Sequence, residues 1–459
     1  MIRRFVKKMF KRQTAPAVQR EATIIPLKTH GITRDMLSRG AERVCEDLER
    51  AGYQAFVVGG AVRDLLLGRD PKDFDIATSA TPEQVRRCCR RSRIIGRRFQ
   101  IVHVMVGQEL IEVTTFRALH DDEDASATDE HGRVLRDNTF GSQSDDAARR
   151  DFTVNALYYD PYDETIHDYH QGYSDLKQRT LRMIGEPTLR YREDPVRMLR
   201  AVRLGAKLGL DIAPDTRKPI RELADLLDNV PPARLFDEML KLLTCGDALA
   251  CLKRLRSEGL HHGVLPLLDV ILEQPLGERF VEQALTNTDQ RIREGKTISP
   301  GFLFAALLWH EVLAHWNKRK AKGEISIPAL YAAMDDVLNR QAQKLAITKR
   351  LVGDIKEIWS LQPRFEQRSG KRPYALLGHA RFRAGYDFML LRAQTGEIDQ
   401  ELGDWWTKFH DSDVSIQESL VATAPQDTNA PKKRRRRNNN RRRSGSAAGD
   451  TQSTPDQAG

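Results

Sequence analysis

The sequence predicts an α+β protein: an N-terminal head on a small mixed β-sheet, then a longer all-α remainder. Three observations carry that expectation. Short strand-like apolar runs, Ala55-Phe56-Val57-Val58, Gln100 to Val106 and Glu109 to Phe116, recur before residue 185. A Gly59-Gly60 pair joins the first run to a helix-sized segment that leads into an acidic strand. Beyond Glu186 nearly every apolar pattern has a helical period.

The elements follow in order. Arg3, Arg4, Lys7, Lys8, Lys11 and Arg12 break any apolar stretch near the start, so residues 1–23 read as a basic flexible arm rather than a signal peptide. Met36, Leu37, Val44 and Leu48 place a helix over 33–51, ended by Gly52. Thr81-Pro82-Glu83-Gln84 is a helix start, with Thr81 as N-cap and Gln84 closing a capping box. The runs flanking Gly107-Gln108 form a hairpin. Residues 119–148, with Asp121-Asp122-Glu123-Asp124 and little apolar content, read as a mobile loop. Helices are expected over 232–243, 302–316 and 328–338.

The chain has 459 residues, enough for two to four domains, with 40% apolar and 30% charged residues, as in a soluble globular protein. No apolar run is long enough to span a bilayer. Its five cysteines form no Cys-x-x-Cys and its histidines show no complementary spacing, which argues against zinc and disulfides and for a cytoplasmic setting. The net charge of +10 points to polyanionic partners. Much of it lies in Lys432, Lys433, Arg434, Arg435, Arg436, Arg437, Arg441, Arg442 and Arg443, within a polar tail over 424–459. Such a tail cannot bury enough apolar surface to fold, and is expected to neutralise phosphates without reading bases.

The chemistry starts at Pro71-Lys72-Asp73-Phe74-Asp75-Ile76-Ala77-Thr78. Alternate side chains of a strand share a face, so Asp73 and Asp75 converge while Phe74 and Ile76 turn toward the core. Two such carboxylates suit Mg²⁺, which leaves its remaining positions to water and substrate phosphate. The Gly59-Gly60 turn before a helix, with Arg63 one turn in, suits that phosphate. No lysine-containing phosphate loop is present.

These residues resemble the head signature of the polymerase-beta-like nucleotidyltransferase superfamily, in the branch of bacterial poly(A) polymerases and tRNA CCA-adding enzymes. The matching blocks are Val57 to Asp64 with Lys72 to Asp75, Arg149 to Ala156, and Arg192 to Arg203. The resemblance spans roughly residues 24–415 and implies a catalytic nucleotidyltransferase head (24–185), a nucleotide-reading helical neck (186–260), and a helical body and RNA-binding region (261–423). It implies Asp73 and Asp75 as catalytic metal ligands, two Mg²⁺ ions, and ATP as substrate. Gly59, Gly60, Arg63 and Arg150 are then nucleotide contacts.

A third acid is expected near the attacking hydroxyl. Glu112, on the strand after the hairpin turn, and Asp151, in the Arg149-Arg150-Asp151 block, are the candidates. Asp151 is taken as required, as either third acid or ribose anchor; Glu112 is either the late-strand acid or half of a cross-strand ion pair. Asp194 and Arg197, three apart, lie on one helix face by spacing. Carboxylate and guanidinium together match the amine and ring nitrogen of adenine or cytosine and oppose uracil and guanine. Asp194-Pro195 is equally an ordinary helix start. The resemblance identifies Glu193-Asp194-x-x-Arg197 as the family's nucleotide-reading motif, with Arg200 and Arg203 continuing a basic stripe that is either a triphosphate contact or a solvated face.

Within the branch, Gly96 to Val104, Ile25 to Ile32, Pro231 to Glu238 and the basic tail resemble poly(A) polymerases, although Leu204 stands where that group often has Phe. The expected reaction is template-independent transfer of AMP from ATP to RNA 3′ ends, with release of pyrophosphate. RNA 3′ ends and RNA-decay proteins are the expected partners of a monomer. The rivals are a CCA-adding enzyme and a non-catalytic RNA-binding protein.

Overall fold

The computed structural model describes residues 21–96, 100–118 and 139–425. Strand β1 (Thr23–Ile25) starts the sheet, and Thr23, expected to end the basic arm, already pairs with Asp168. Helix α1 (Arg39–Arg50) begins later than the expected residue 33. Ser38 is extended and its side chain accepts from the Ala41 N–H, which sets the start there; Arg34–Met36 is a separate 3-10 turn and Met36 is exposed. Strand β2 (Ala55–Val58) is buried throughout and runs through Gly59 into α2 (Gly60–Leu66) and then β3 (Asp75–Thr78). Helix α3 (Pro82–Cys88) carries the expected capping box between Thr81 and Gln84. After β4 (Ser92–Ile95), β5 (Ile101–Val106) and β6 (Glu109–Thr115) form the expected hairpin.

Of the segment read as a loop, residues 119–138 lie outside the described residues, but its end is α4 (Gln143–Arg149). A reciprocal cap between Ser142 and Asp145 starts that helix, and Ala147 anchors it in the core. Strands β7 (Leu157–Asp160) and β8 (Thr165–Asp168) complete an eight-stranded sheet in the order β1-β8-β7-β2-β3-β6-β5-β4. It is mixed, as expected: β3 and β6 are parallel and the other pairs antiparallel.

The strand period of two divides this sheet into two faces. Val57, Ile76, Val102 and Val113 pack beneath Val44 and Leu48 of α1 and Val85 of α3. Each such side chain contributes about 1.5–3 kcal/mol on burial, which fixes the register of every strand they occupy. Phe56, Val58, Ala77 and Tyr158 face the other way and pack with Ala147 of α4. Asp75 belongs to this second face.

The remainder is helical, with one exception. Strand β9 (Thr180–Leu181) pairs in parallel with β10 (Asp211–Ile212), so a small ladder spans the expected head–neck boundary. Around it lie α5 (Pro187–Glu193), α6 (Val196–Leu208), α7 (Pro232–Leu243) and α8 (Ala248–Ser257). Helix α7 has the expected bounds, and the other two expected helices fall inside Pro300–Ala321 and Ser326–Ala342. Phe152 and Val154 of the head share one continuous core with Tyr191, Met198 and Val202 and with the helices that follow. A second core gathers Phe365, Trp406 and Phe409. Among the described residues no helix is long and apolar enough to cross a membrane.

Candidate active site

Strand β2 delivers the chain to Gly59, whose φ of 74° and ψ of −121° are ruled out for most L side chains. A Cβ there would lie 3.3 Å from Arg150 Nη1, so the turn rests on that guanidinium. Arg150 is itself anchored: Nε donates to Tyr158 Oη at 3.0 Å and Nη2 to Asp146 Oδ2 at 3.1 Å. Burial opposes its charge, but Tyr158 and Asp146 outweigh that and raise its pKa, so it stays cationic. One turn into α2, Arg63 is buried and donates to Asn155 Oδ1 and, through Nε and Nη2, to Asp64 Oδ1 at 2.8 and 2.7 Å.

Asp75 opens β3, while Asp73 lies two residues upstream, outside the strand. The expected pair on one strand is therefore one strand residue and one loop residue, because the pairing of β3 with β2 and β6 begins at Asp75. Phe74 and Ile76 are buried, as expected. The parallel register sets Glu112 of β6 directly beside Asp75 on the same face. Desolvation by the cleft walls, then Glu112 and Asp73, raise the Asp75 pKa to about 6, with Arg150 opposing. Three all-oxygen groups with mutual repulsion fit a hard divalent cation such as Mg²⁺. Among the described residues these three do not bring one oxygen each within 4.8 Å of one another. Glu112 also lies 3.3 Å from His103 Nε2 on β5, the cross-strand partner that the sequence left open beside a late-strand acid role. His261, His262 and Asp269 do come that close, despite the unpromising histidine spacing, but Arg256 and His261 already engage Asp269 at 2.9 and 2.8 Å.

Asp151 has no free oxygen. Oδ2 accepts from Arg200, and Oδ1 accepts from the Phe152 N–H at 2.8 Å and Asn155 Nδ2 at 3.1 Å. Burial pushes its carboxyl up, but the Arg200 charge and these hydrogen bonds bring it down to about 2.

Asp194 is not on the helix face expected for it. It is an extended residue at the break between α5 and α6, and the helix starts at Val196. Pro195 supplies the break, since it disfavours helical geometry in the residue before it. Its Oδ1 accepts weakly from the Val196 N–H at 3.4 Å, and Oδ2 pairs with Arg234 of α7 at 2.9 Å. Arg197 is held separately, through Nη1, by the Arg190 carbonyl and Glu193, each at 2.8 Å. Arg203 pairs with Glu238 at 2.6 Å.

Gly59, Gly60, Arg63, Asp75, Arg150, Asp151, Asp194, Arg197 and Arg200 all line one cleft of about 580 Å³ between head and neck. Asp73 does not line it. Asn155, Lys207, Arg234, Asp237, Glu238 and Lys241 also line it and were missed from sequence. Two signals were available: Lys207 continues the Arg200–Arg203 stripe at helical spacing, and 234, 237, 238 and 241 form one face of α7. The tail cations Lys432 to Arg443, and Arg97 to Phe99, lie outside the described residues.

Known proteins can now be set beside this cleft. The family described as "Poly A polymerase head domain" matches residues 55–182. "Probable RNA and SrmB- binding site of polymerase A" matches 209–272, and "Polymerase A arginine-rich C-terminus" matches 322–443. Poly(A) polymerase I of Salmonella typhimurium is 45% identical over 431 residues, covering 91% of this chain and 93% of that protein. The CCA-adding enzyme of Geobacillus thermodenitrificans is 41% identical over 217 residues, 47% of this chain and 52% of that protein. The Bacillus stearothermophilus CCA-adding enzyme, solved in complex with CTP, aligns with a TM-score of 0.53 at 28% identity, covering 84% of this chain and 82% of that one. With family matches over 55–182, 209–272 and 322–443, and 45% identity to Poly(A) polymerase I across 91% of its length, the chain belongs to the poly(A) polymerase family of nucleotidyltransferases.

Proposed function

We propose that the protein extends RNA 3′ ends with AMP drawn from ATP, without a template, releasing pyrophosphate. The observation that carries this is the single cleft that gathers the Gly59 turn, Asp75 and the neck residues Asp194 and Arg197 around a space of nucleotide size. Near-full-length identity to Poly(A) polymerase I, against half-length identity to a CCA-adding enzyme, favours long adenylate products over two cytidines and an adenosine.

Asp73 and Asp75 would hold Mg²⁺, in a two-ion arrangement, whose chemistry there is to acidify the attacking hydroxyl and neutralise the triphosphate. Arg63 and Arg150, cationic beside the bare Gly59-Gly60 turn, orient the phosphates. Glu112, open on the Asp75 face, is better suited than Asp151 to the third-acid role. Asp151 spends both oxygens on Arg200, Asn155 and Phe152, and so positions the neck against the head. Asp194 accepts from the adenine amine and Arg197 donates to the ring. The basic tail adds salt-sensitive affinity for RNA of any sequence. A monomeric state, a cytoplasmic setting and RNA-decay proteins as partners belong to the same proposal.

The test offers each nucleoside triphosphate singly to the purified protein with Mg²⁺ and a labelled oligo(A) primer. Long ladders with ATP are expected. Two cytidines added to a trimmed tRNA from CTP alone would transfer the protein to the CCA-adding group, and no extension with any nucleotide would leave it an RNA-binding protein.

A further inference from the structure

Four side chains stand in register across the outer half of the head sheet. Asp75 pairs with Glu112, Glu112 with His103, and His103 with Arg93 on the edge strand β4. Directly paired residues point to the same face. The opposite face here is filled, since Ile76, Val113, Val102 and Ile94 pack under α1 and α3. The Asp75 face is covered near β2 and β7, where Phe56 and Tyr158 pack with Ala147. Over β4, β5 and β6 it is open: Arg93 is exposed, and the register pair Met105 and Leu110 stays 36% and 43% exposed. Arg93 has no hydrogen-bond or ion-pair partner among the described residues, and its neighbours Arg90 and Arg91 are exposed as well.

We propose that this open face is the track of the RNA primer: Arg93 takes a backbone phosphate upstream of the 3′ end, and Met105 and Leu110 carry the nucleotides between. The proposal rests on the reading that Asp75 marks the reacting end. Strands about 4.8 Å apart place Arg93 about 14 Å from Asp75, a reach of a few nucleotides. The ladder changes sign along its length, from two carboxylates to an exposed guanidinium. A primer needs that order, with cation-binding acids at its terminus and a cation for its phosphates. A cation beside exposed apolar side chains gives single-stranded nucleotides a phosphate contact and an apolar surface, neither of which reads sequence. An edge strand also gains from any charge, which blocks pairing with another sheet. That role alone would be filled by lysine or glutamate and would leave primer handling unchanged.

The test compares wild type with Arg93→Ala, Arg93→Lys and Arg93→Glu, using ATP and oligo(A) primers of two and ten nucleotides. With the ten-nucleotide primer, Arg93→Ala should raise the primer KM about fivefold, leave the ATP KM unchanged, and lower the salt slope of primer binding by about 1. Arg93→Lys should recover most of the loss and Arg93→Glu should deepen it. The dinucleotide, whose one phosphate lies beside the 3′ hydroxyl, should not distinguish the variants. Anisotropy binding of a 3′-deoxy ten-nucleotide oligo(A) gives the same comparison without catalysis. Unchanged primer KM, affinity and salt slope in Arg93→Ala would overturn the track while wild-type ladders left the proposed activity standing. A wild type that makes no ladders would instead remove the activity, and the binding comparison would still decide the track.

Discussion

Arg200 grips one oxygen of Asp151 twice, through Nε at 2.7 Å and Nη2 at 2.6 Å, and so ties the first neck helices to the head at the floor of the cleft. The pair lies 49 residues apart in sequence. It joins the segment after α4 to the helix that carries Arg197, and Asn155 links that segment on to Arg63 beside the glycine turn.

Breaking this pair should cost stability from either side. Asp151→Asn and Arg200→Ala should each lose about 3 kcal/mol, the lower end for a buried pair because Arg200 is about a third exposed. The double variant should lose clearly less than the sum in urea unfolding. The carboxyl is held down at about 2, so its contribution is complete above its unfolded value near 3.9 and is lost as pH falls toward 2. The difference in Tm between wild type and Asp151→Asn should thus be flat from pH 8 to 5 and shrink below about pH 4.

Asp75→Asn should abolish nucleotide addition, a loss of about 10³-fold or more, while stabilising the metal-free protein. Its folded pKa of about 6 exceeds the unfolded one, so ionisation strains the apo fold as pH rises through that window. Solvent in the open cleft holds this penalty to about 1 kcal/mol. The gain should be present at pH 8 and absent at pH 4 by thermal melting. In wild type, Mg²⁺ should raise Tm at pH 8 and do so progressively less below pH 6, where protons compete for the carboxylate.

Gly59→Ala should cost about 2 kcal/mol, since its backbone conformation is close to glycine-only. The added methyl would meet Arg150 Nη1, and Arg150 has little room to yield because Tyr158 and Asp146 hold it. A raised ATP KM beyond the loss of stability is the expected kinetic sign.

Arg234→Ala should weaken nucleotide choice. Arg234 holds Asp194 Oδ2 at 2.9 Å from a different helix and so fixes the carboxylate's aim. Releasing it should raise the ATP KM and lower the ATP-to-UTP ratio of kcat/KM about tenfold, the value of one good base contact at about 1.4 kcal/mol.

Much of this was legible from local pattern. The capping box at Thr81 and Gln84, the hairpin around Gly107-Gln108 and the helix Pro232–Leu243 depend on residues a few positions apart, and each formed where expected. Asp75, the Gly59-Gly60 turn, Arg197 and Arg200, read as short motifs, line one cleft, whereas Asp73 does not. The helix start at Ser38 and the helix Gln143–Arg149 were misread because a side-chain cap, not apolar spacing, sets their bounds. For Asp194 the proline break outweighed helical periodicity, so the alternative of a helix start at Asp194-Pro195 lies nearer the structure than the shared helix face.

Short-range order along the chain was therefore sufficient for the mixed head, the helical remainder and the residue types of a nucleotidyl-transfer site. Which partner each of those residues serves was set by the folded arrangement alone. Glu112 reaches Asp75 through a parallel strand pairing, Asp151 is spent on Arg200, and Asp194 is held by Arg234. Periodicity encodes the face on which a side chain stands. Long-range ion pairs carry no such local signature, because their geometry exists only after the cores beneath them have packed.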